Sequence, residues 1–67
     1  MTTSPPQFES FVLRRVRKGN RRDESETLLN ELLQHHDGDN LVHALVYEGF
    51  ATERQAAAFV TGRKGHQ

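Results

Sequence analysis

The chain has 67 residues, a net charge of zero and no cysteine. The length allows a single domain, and the lack of cysteine excludes a disulfide scaffold, a thiolate zinc site and a cysteine nucleophile. No apolar run approaches the roughly 18 residues of a membrane span, and the opening MTTSPPQ lacks the basic and apolar regions of a signal peptide, so we expect a cytoplasmic protein.

The first helix is predicted over residues 5–18. Ser4 and Gln7 have the spacing of a capping box, in which each side chain satisfies a free backbone N–H group of the other residue. Proline is tolerated at the first helical position. The apolar residues share one face of this helix; they are Phe8, Phe11, Val12 and Val16, with Leu13 at the edge. Gly19 and Asn20 are typical of a helix end.

The second helix is predicted over residues 24–36. Asp23 and Glu26 repeat the capping-box spacing at its start. Its apolar face consists of leucines only, namely Leu28, Leu29, Leu32 and Leu33. The segment Asp37-Gly38-Asp39 has the composition of a turn and is the predicted end of this helix.

The third helix is predicted over residues 40–49, with Asp39 or Asn40 as its N-terminal cap. Gly49 is the predicted stop, because glycine readily adopts the left-handed conformation that often follows a helix. The apolar face consists of Leu41, Val42, Leu45 and Val46.

The fourth helix is predicted over residues 53–61. Thr52 and Gln55 form a third capping box before it, and Gly62 is the predicted stop. Its apolar positions are Ala56, Phe59 and Val60, and Phe50 lies in the preceding turn.

No segment alternates polar and apolar residues with period two, so no sheet is predicted. The sequence therefore predicts one all-α domain over residues 1–67, a compact bundle of four short helices with loose ends at about residues 1–3 and 62–67. A chain of this length buries only about 60% of its extended surface. A second copy or another partner is the remaining source of buried area, and we expect a homodimer.

The charges are distributed very unevenly. Six of the nine basic residues lie in the stretch RRVRKGNRR, from Arg14 to Arg22, whereas residues 23–53 hold eight of the nine acids and no lysine or arginine. Five of these cations are expected to converge at one corner, which we call the basic corner: Arg14, Arg17, Lys18, Arg21 and Arg22. Guanidinium groups bind phosphate in a bidentate manner, so the sequence predicts contact with the backbone of a nucleic acid.

Two other interpretations of the basic corner stay open. The same arginines could bind an acidic surface on a partner protein. The second helix also opens with Asp23, Glu24 and Glu26. Pairing with these carboxylates, within the molecule or across a dimer, would consume much of the positive charge.

The segment LVHALVYEGFATERQAAAFVTGRKG resembles the start of a helix-turn-helix in some plasmid and phage repressors, over about twenty residues. The resemblance implies DNA binding. Compact helical proteins with a neutral-to-basic charge are common in phage and plasmid genomes, so we expect a phage or plasmid protein. The match departs from that motif, because no recognition helix follows Gly62 if residues 55–61 form the supporting helix. If they form the recognition helix, its exposed residues are only Arg54, Gln55, Ala58 and Thr61. The alternative is that this segment is simply two packed helices joined by a glycine turn, without a DNA-binding role.

His35, His36 and His43 flank the Asp37-Gly38-Asp39 segment, and imidazole and carboxylate are zinc-type ligands. We nevertheless predict no metal site, because His36 falls in the leucine stripe and His43 lies opposite the apolar face of its helix. A calcium-binding EF-hand is excluded, since no glutamate stands at the twelfth loop position.

His43 and Tyr47 stand one turn apart on the outer face of the third helix. Tyrosine is enriched in interface hot spots. The pair is therefore a candidate second interface or dimer face, with an ordinary solvated stripe as the alternative.

No glycine loop that binds phosphate and no recognisable catalytic constellation is present, and a domain this small has little room for a substrate pocket. We expect no enzyme and no cofactor. The predicted function is a small regulatory protein that binds nucleic acid through the basic corner. The alternative is a protein-binding adaptor or inhibitor that docks on an acidic or apolar surface of its partner.

Overall fold

The computed structural model describes residues 6–64. These residues form four helices and no strand: α1 (Pro6–Arg17), α2 (Arg22–His35), α3 (Gly38–Tyr47) and α4 (Glu53–Lys64). The all-α prediction is confirmed. Ser4 of the first predicted capping box, and the predicted loose ends at residues 1–3 and 65–67, lie outside the described residues. None of the four helices combines the length and the hydrophobicity that crossing a bilayer requires.

The start of α2 differs from its prediction. The helix begins at Arg22, and the capping position is Arg21, which is extended (φ −77°, ψ 145°) and makes no capping bond through its side chain. The predicted capping box of Asp23 and Glu26 is wrong, because both carboxylates are used elsewhere. Asp23 accepts a hydrogen bond from the backbone N–H of Glu24 (2.8 Å), and Glu26 accepts one from Arg22 Nε (3.1 Å).

The connection between α2 and α3 is shorter than predicted. The backbone N–H of His36 closes α2 by donating to the Leu32 carbonyl (3.0 Å), and α3 begins at Gly38, directly after the extended residue Asp37. Asp39 and Asn40 lie inside α3, so the prediction that either one caps this helix is wrong. A link of only two residues keeps the end of α2 close to the start of α3.

Both α1 and α3 end at a glycine, as predicted. Gly19 and Gly49 adopt positive φ values of 103° and 84°. In each case the N–H group of the next residue reaches back to a carbonyl five residues earlier, from Asn20 to Arg15 (3.1 Å) and from Phe50 to Leu45 (2.9 Å). Since the glycine N–H also bonds to a carbonyl three residues back, each end forms a complete Schellman motif.

The start of α4 confirms its capping box, but its end does not match the prediction. The Thr52 N–H donates to Gln55 Oε1 and the Gln55 N–H donates to Thr52 Oγ1, both at 3.2 Å. The helix then continues through Gly62 to Lys64. Gly62 lacks the positive φ that ends α1 and α3, so the prediction that it stops the helix is wrong.

The core lies where the helical periodicity predicted it. Nine apolar residues are buried: Phe11, Val12, Leu29, Leu32, Leu41, Leu45, Phe50, Ala51 and Ala56. Phe11 also packs edge-to-face on Phe59, with 5.2 Å between the ring centroids. Val46 is an exception to the prediction, because it is 40% exposed. Ser25 is buried although it is polar, and its hydroxyl donates to the Arg21 carbonyl (2.7 Å), which removes the penalty for burying it.

The four helices do not pack on one another equally. The most extensive packing joins α3 to α4 and α1 to α2, whereas α2 and α3 touch over a smaller area. This arrangement leaves an open groove between α2 and α3, which is lined mainly by polar side chains.

Gly49 and Gly62 give opposite predictions for substitution by alanine. Gly49→Ala is expected to cost about 1–2 kcal/mol, because its left-handed conformation is strained for a residue with a Cβ atom. Gly62→Ala is expected to stabilise the protein by roughly 0.5–1 kcal/mol, because alanine loses less backbone entropy in a helix. An added Cβ on Gly62 would meet nothing within 4 Å. Urea unfolding followed by circular dichroism measures both changes, and a destabilising Gly62→Ala would show that α4 ends earlier.

Candidate nucleic-acid interface

The basic corner spans the turn between α1 and α2. Arg14 and Arg17 lie in the last turn of α1, Lys18 follows it, and Arg21 and Arg22 flank the start of α2. Arg14 is half-buried, and the other four residues are exposed. Gly19, with a positive φ of 103°, allows the chain to turn between the residues at the end of α1 and those at the start of α2.

Arg22 is held by two carboxylates. Its Nη2 atom donates to both oxygens of Glu9, at 3.0 and 2.8 Å, and its Nε atom donates to Glu26 at 3.1 Å. The hydrogen bonds to Glu9 and then to Glu26 raise the pKa of Arg22 above its ordinary value. The sequence interpretation anticipated Glu26 as a partner but missed Glu9, which precedes Arg22 by thirteen residues.

Arg21 is paired with Asp23. Its Nε and Nη2 atoms lie 3.2 and 3.4 Å from the two carboxylate oxygens. The hydrogen bond from Arg21, followed by the bond from the Glu24 N–H, lowers the pKa of Asp23 below its usual range. The two side chains are 72% and 71% exposed. A pair this open to water contributes little to stability, so a phosphate can compete with Asp23 for Arg21.

Three cations of the basic corner remain without such partners. Arg14, Arg17 and Lys18 form no ion pair with any carboxylate of residues 7–62. The buried Nε atom of Arg14 has no hydrogen-bond partner there either. The spacing i, i+3 places Arg14 and Arg17 on one face of α1, and Lys18 follows in the turn.

Lys18 also lies against the end of α3. Its ammonium nitrogen is 3.4 Å from the point where a Cβ atom on Gly49 would stand. A cation at a helix C-terminus interacts favourably with the helix dipole. Lys18 therefore connects the basic corner to the turn between α3 and α4.

Arg15, the sixth cation of the stretch, has a structural role. Its guanidinium carbon lies 5.0 Å from the centroid of the Phe50 ring, and its Nη2 atom donates to Asn20 Oδ1 (3.2 Å). Phe50 is buried in the turn between α3 and α4. The cation–π contact therefore attaches the end of α1 to this turn. Its spacing places Arg15 outside the set of Arg14, Arg17 and Lys18, but the sequence did not predict its contact with Phe50.

The second predicted surface is part of the groove between α2 and α3. His43 is exposed and Tyr47 is 86% exposed, and both line this groove. The prediction that His36 lies in the leucine stripe is wrong, because His36 is exposed beyond the last turn of α2. As a result His35, His36 and His43 line one groove, which the sequence interpretation did not expect.

The groove does not form a metal centre in the described part of the chain. No group of three or more histidine and acidic side chains is arranged there to hold an ion.

The residues of α4 that a helix-turn-helix would use are exposed, namely Arg54, Gln55, Ala58 and Thr61. The amide oxygen of Gln55, however, accepts the capping hydrogen bond from Thr52. Arg54 is then the only long side chain of this set that is not engaged at the helix start, and one arginine is a poor reader of bases.

Compared with protein-family models, with curated proteins and with solved structures, the chain matches none of them.

Proposed function

We propose that this protein is a non-enzymatic regulator that binds the backbone of a nucleic acid through Arg14, Arg17 and Lys18. The observation that carries the proposal is that these three cations lie at or directly after the end of α1 and have no carboxylate partner among the described residues. Arg21 and Arg22 are secondary contacts, because each must first leave a carboxylate.

The local charge supports a binding site of moderate strength. Glu24 is exposed in the first turn of α2 and repels phosphate, whereas Asp23 and Glu26 are paired with arginines. A protein that contacts the backbone without reading bases is expected to bind at low salt and to release at high salt. Such binding carries no sequence preference, since phosphate contacts position a protein but do not specify bases.

The salt dependence of binding measures how many cations take part. Three phosphate contacts predict a slope of about −2.7 for log K against log salt on duplex DNA, and five predict about −4.5. We expect the lower value, so that affinity falls by roughly 40-fold between 50 and 200 mM salt. Fluorescence anisotropy with labelled duplex and single-stranded DNA and RNA gives the slope. An absence of binding at 50 mM salt would contradict the proposal.

A second candidate function is an adaptor or inhibitor that binds an acidic protein surface. The observation in its favour is Arg22, which already holds two carboxylates within this molecule. An acidic peptide that binds at 150 mM salt, where nucleic acids do not, would favour this candidate over the first.

A further inference from the structure

The link between α2 and α3 contains an Asp-Gly peptide bond, formed by Asp37 and Gly38. In such a dipeptide the backbone nitrogen of the glycine can attack the Cγ atom of the aspartate, because the glycine has no side chain that hinders the approach. Asp37 is exposed, and a Cβ atom on Gly38 would meet nothing within 4 Å. The surroundings of this dipeptide therefore leave room for a ring to form.

The carboxylate of Asp37 is not held in place. Asp37 is the cap residue of α3, and a capping aspartate usually accepts a hydrogen bond from an N–H group in the first turn of its helix. The side chain of Asp37 makes no such bond. It also forms no ion pair with the cations of residues 7–62. The carboxyl group can therefore rotate toward the Gly38 nitrogen.

The backbone at this dipeptide is weakly restrained. Asp37 is extended (φ −150°, ψ 172°), and Gly38 has a positive φ of 55°, unlike the residues that follow it in α3. Ring closure requires a rotation about ψ of Asp37. This rotation breaks the hydrogen bond from the Leu41 N–H to the Asp37 carbonyl, which at 3.2 Å lies at the long end of the usual range. The fold therefore opposes the reaction only slightly.

The other two aspartates of the chain are less suited to this reaction. The Asp23 carboxylate accepts bonds from Arg21 Nε (3.2 Å) and from the Glu24 N–H (2.8 Å), and these bonds lower its pKa, so the hydroxyl group that must leave is rarely present. Asp39 lies inside α3 and precedes Asn40, whose side chain hinders the attack. At both sites the attacking nitrogen also belongs to a helix.

We propose that the Asp37–Gly38 bond is a site of spontaneous modification, at which the folded protein converts aspartate to isoaspartate. The Gly38 nitrogen forms a bond to Cγ of Asp37, and the carboxyl hydroxyl leaves as water with the amide proton. A second water molecule then adds to the original backbone carbonyl carbon of the succinimide and breaks its bond to the Gly38 nitrogen. The chain now runs through Cγ, and the original carbonyl carbon belongs to a free carboxylate.

The product changes the connection between two helices. One methylene group is added to a link of only two residues, so the start of α3 is displaced relative to the end of α2. His36 and Asn40, on either side of Asp37 and Gly38, line the groove between these helices. The modification therefore also changes the shape of this groove. The proposal does not depend on nucleic-acid binding.

Incubation of the folded protein for about four weeks at 37 °C and pH 7.4 tests the proposal. One tryptic peptide, residues 23–54, contains all three aspartates, and electron-transfer fragmentation locates isoaspartate within it. Isoaspartate is expected at Asp37 at least tenfold faster than at Asp23 or Asp39, because those two sites must first open a helix. The rate at Asp37 is expected to lie within about tenfold of the rate in guanidinium chloride, where no structure protects it.

Two variants at the same position provide the controls, and circular dichroism checks that each is folded. Asp37→Glu keeps the charge but cannot close a five-membered ring, so isoaspartate should be absent there. Asp37→Asn is expected to react at least tenfold faster, because an amide, unlike a carboxylate at pH 7.4, need not be protonated before its heteroatom leaves. A folded protein without isoaspartate at Asp37 would overturn the proposal. Equal rates at Asp37 and Asp39, a rate more than about tenfold below that of the unfolded chain, or an unaccelerated Asp37→Asn would do the same.

Discussion

Phe50→Ala is expected to lower the free energy of unfolding by about 3–5 kcal/mol, as is typical for removing a buried phenylalanine. A chain of this size has a total stability of roughly 3–10 kcal/mol. The substitution is therefore expected to leave a large part of the protein unfolded at 25 °C. Thermal unfolding and urea titration, followed by circular dichroism, measure the loss.

The position of Phe50 explains why the effect is so large. The residue lies in the turn between α3 and α4 and is fully buried, together with Leu45, to whose carbonyl its N–H donates. Its ring also receives the Arg15 guanidinium. The loss of this ring leaves a cavity and removes the platform that holds the end of α1, so packing is lost between three helices at once.

Phe8→Ala is the matched control for this prediction. It makes the same chemical change at a phenylalanine that is only half-buried, in the first turns of α1. Folding buries less of the Phe8 side chain than of Phe50. The decrease in the free energy of unfolding caused by Phe8→Ala is therefore expected to be about half that of Phe50→Ala or smaller. Equal losses at both positions would contradict the placement of Phe50 at the centre of the core.

The number of helices and the core could be predicted because both follow from periodicity. Leucine and phenylalanine at spacings of three and four residues form an apolar face on a helix, and this face does not depend on how the neighbouring helices are arranged. Helix starts were less predictable. The cap residues Arg21 and Asp37 are set by their extended backbone and not by a side-chain hydrogen bond, so the capping pattern favoured Asp23 and Asp39 instead.

The composition of the basic corner could be predicted, but its pairing could not. The cluster of arginines is visible in the sequence, and Asp23 and Glu26 are close enough along the chain to be expected partners. Glu9 lies thirteen residues before Arg22, so their contact depends on how α1 packs on α2. The same holds for the three histidines, which share a groove only because the link between α2 and α3 is short.

Reversing two of the unpaired cations should have the largest effect on nucleic-acid binding. Arg14→Glu/Arg17→Glu is expected to weaken binding at 50 mM salt by about 100-fold or more, because each lost phosphate contact costs roughly tenfold at that salt concentration. The salt slope of the remaining binding should fall to about −0.9, the value for one contact. Anisotropy titrations over the same salt range measure both quantities.

The controls for this variant separate the basic corner from the rest of the surface. Arg14 is half-buried, so Arg17→Glu alone, at an exposed position, must show about tenfold weaker binding in a protein that is fully folded. Arg54→Glu reverses an exposed arginine on α4 and should change affinity by less than about threefold, since a cation that contacts no phosphate releases no counterion. If Arg54→Glu abolishes binding while the double variant does not, the contact surface is α4, as a helix-turn-helix would require.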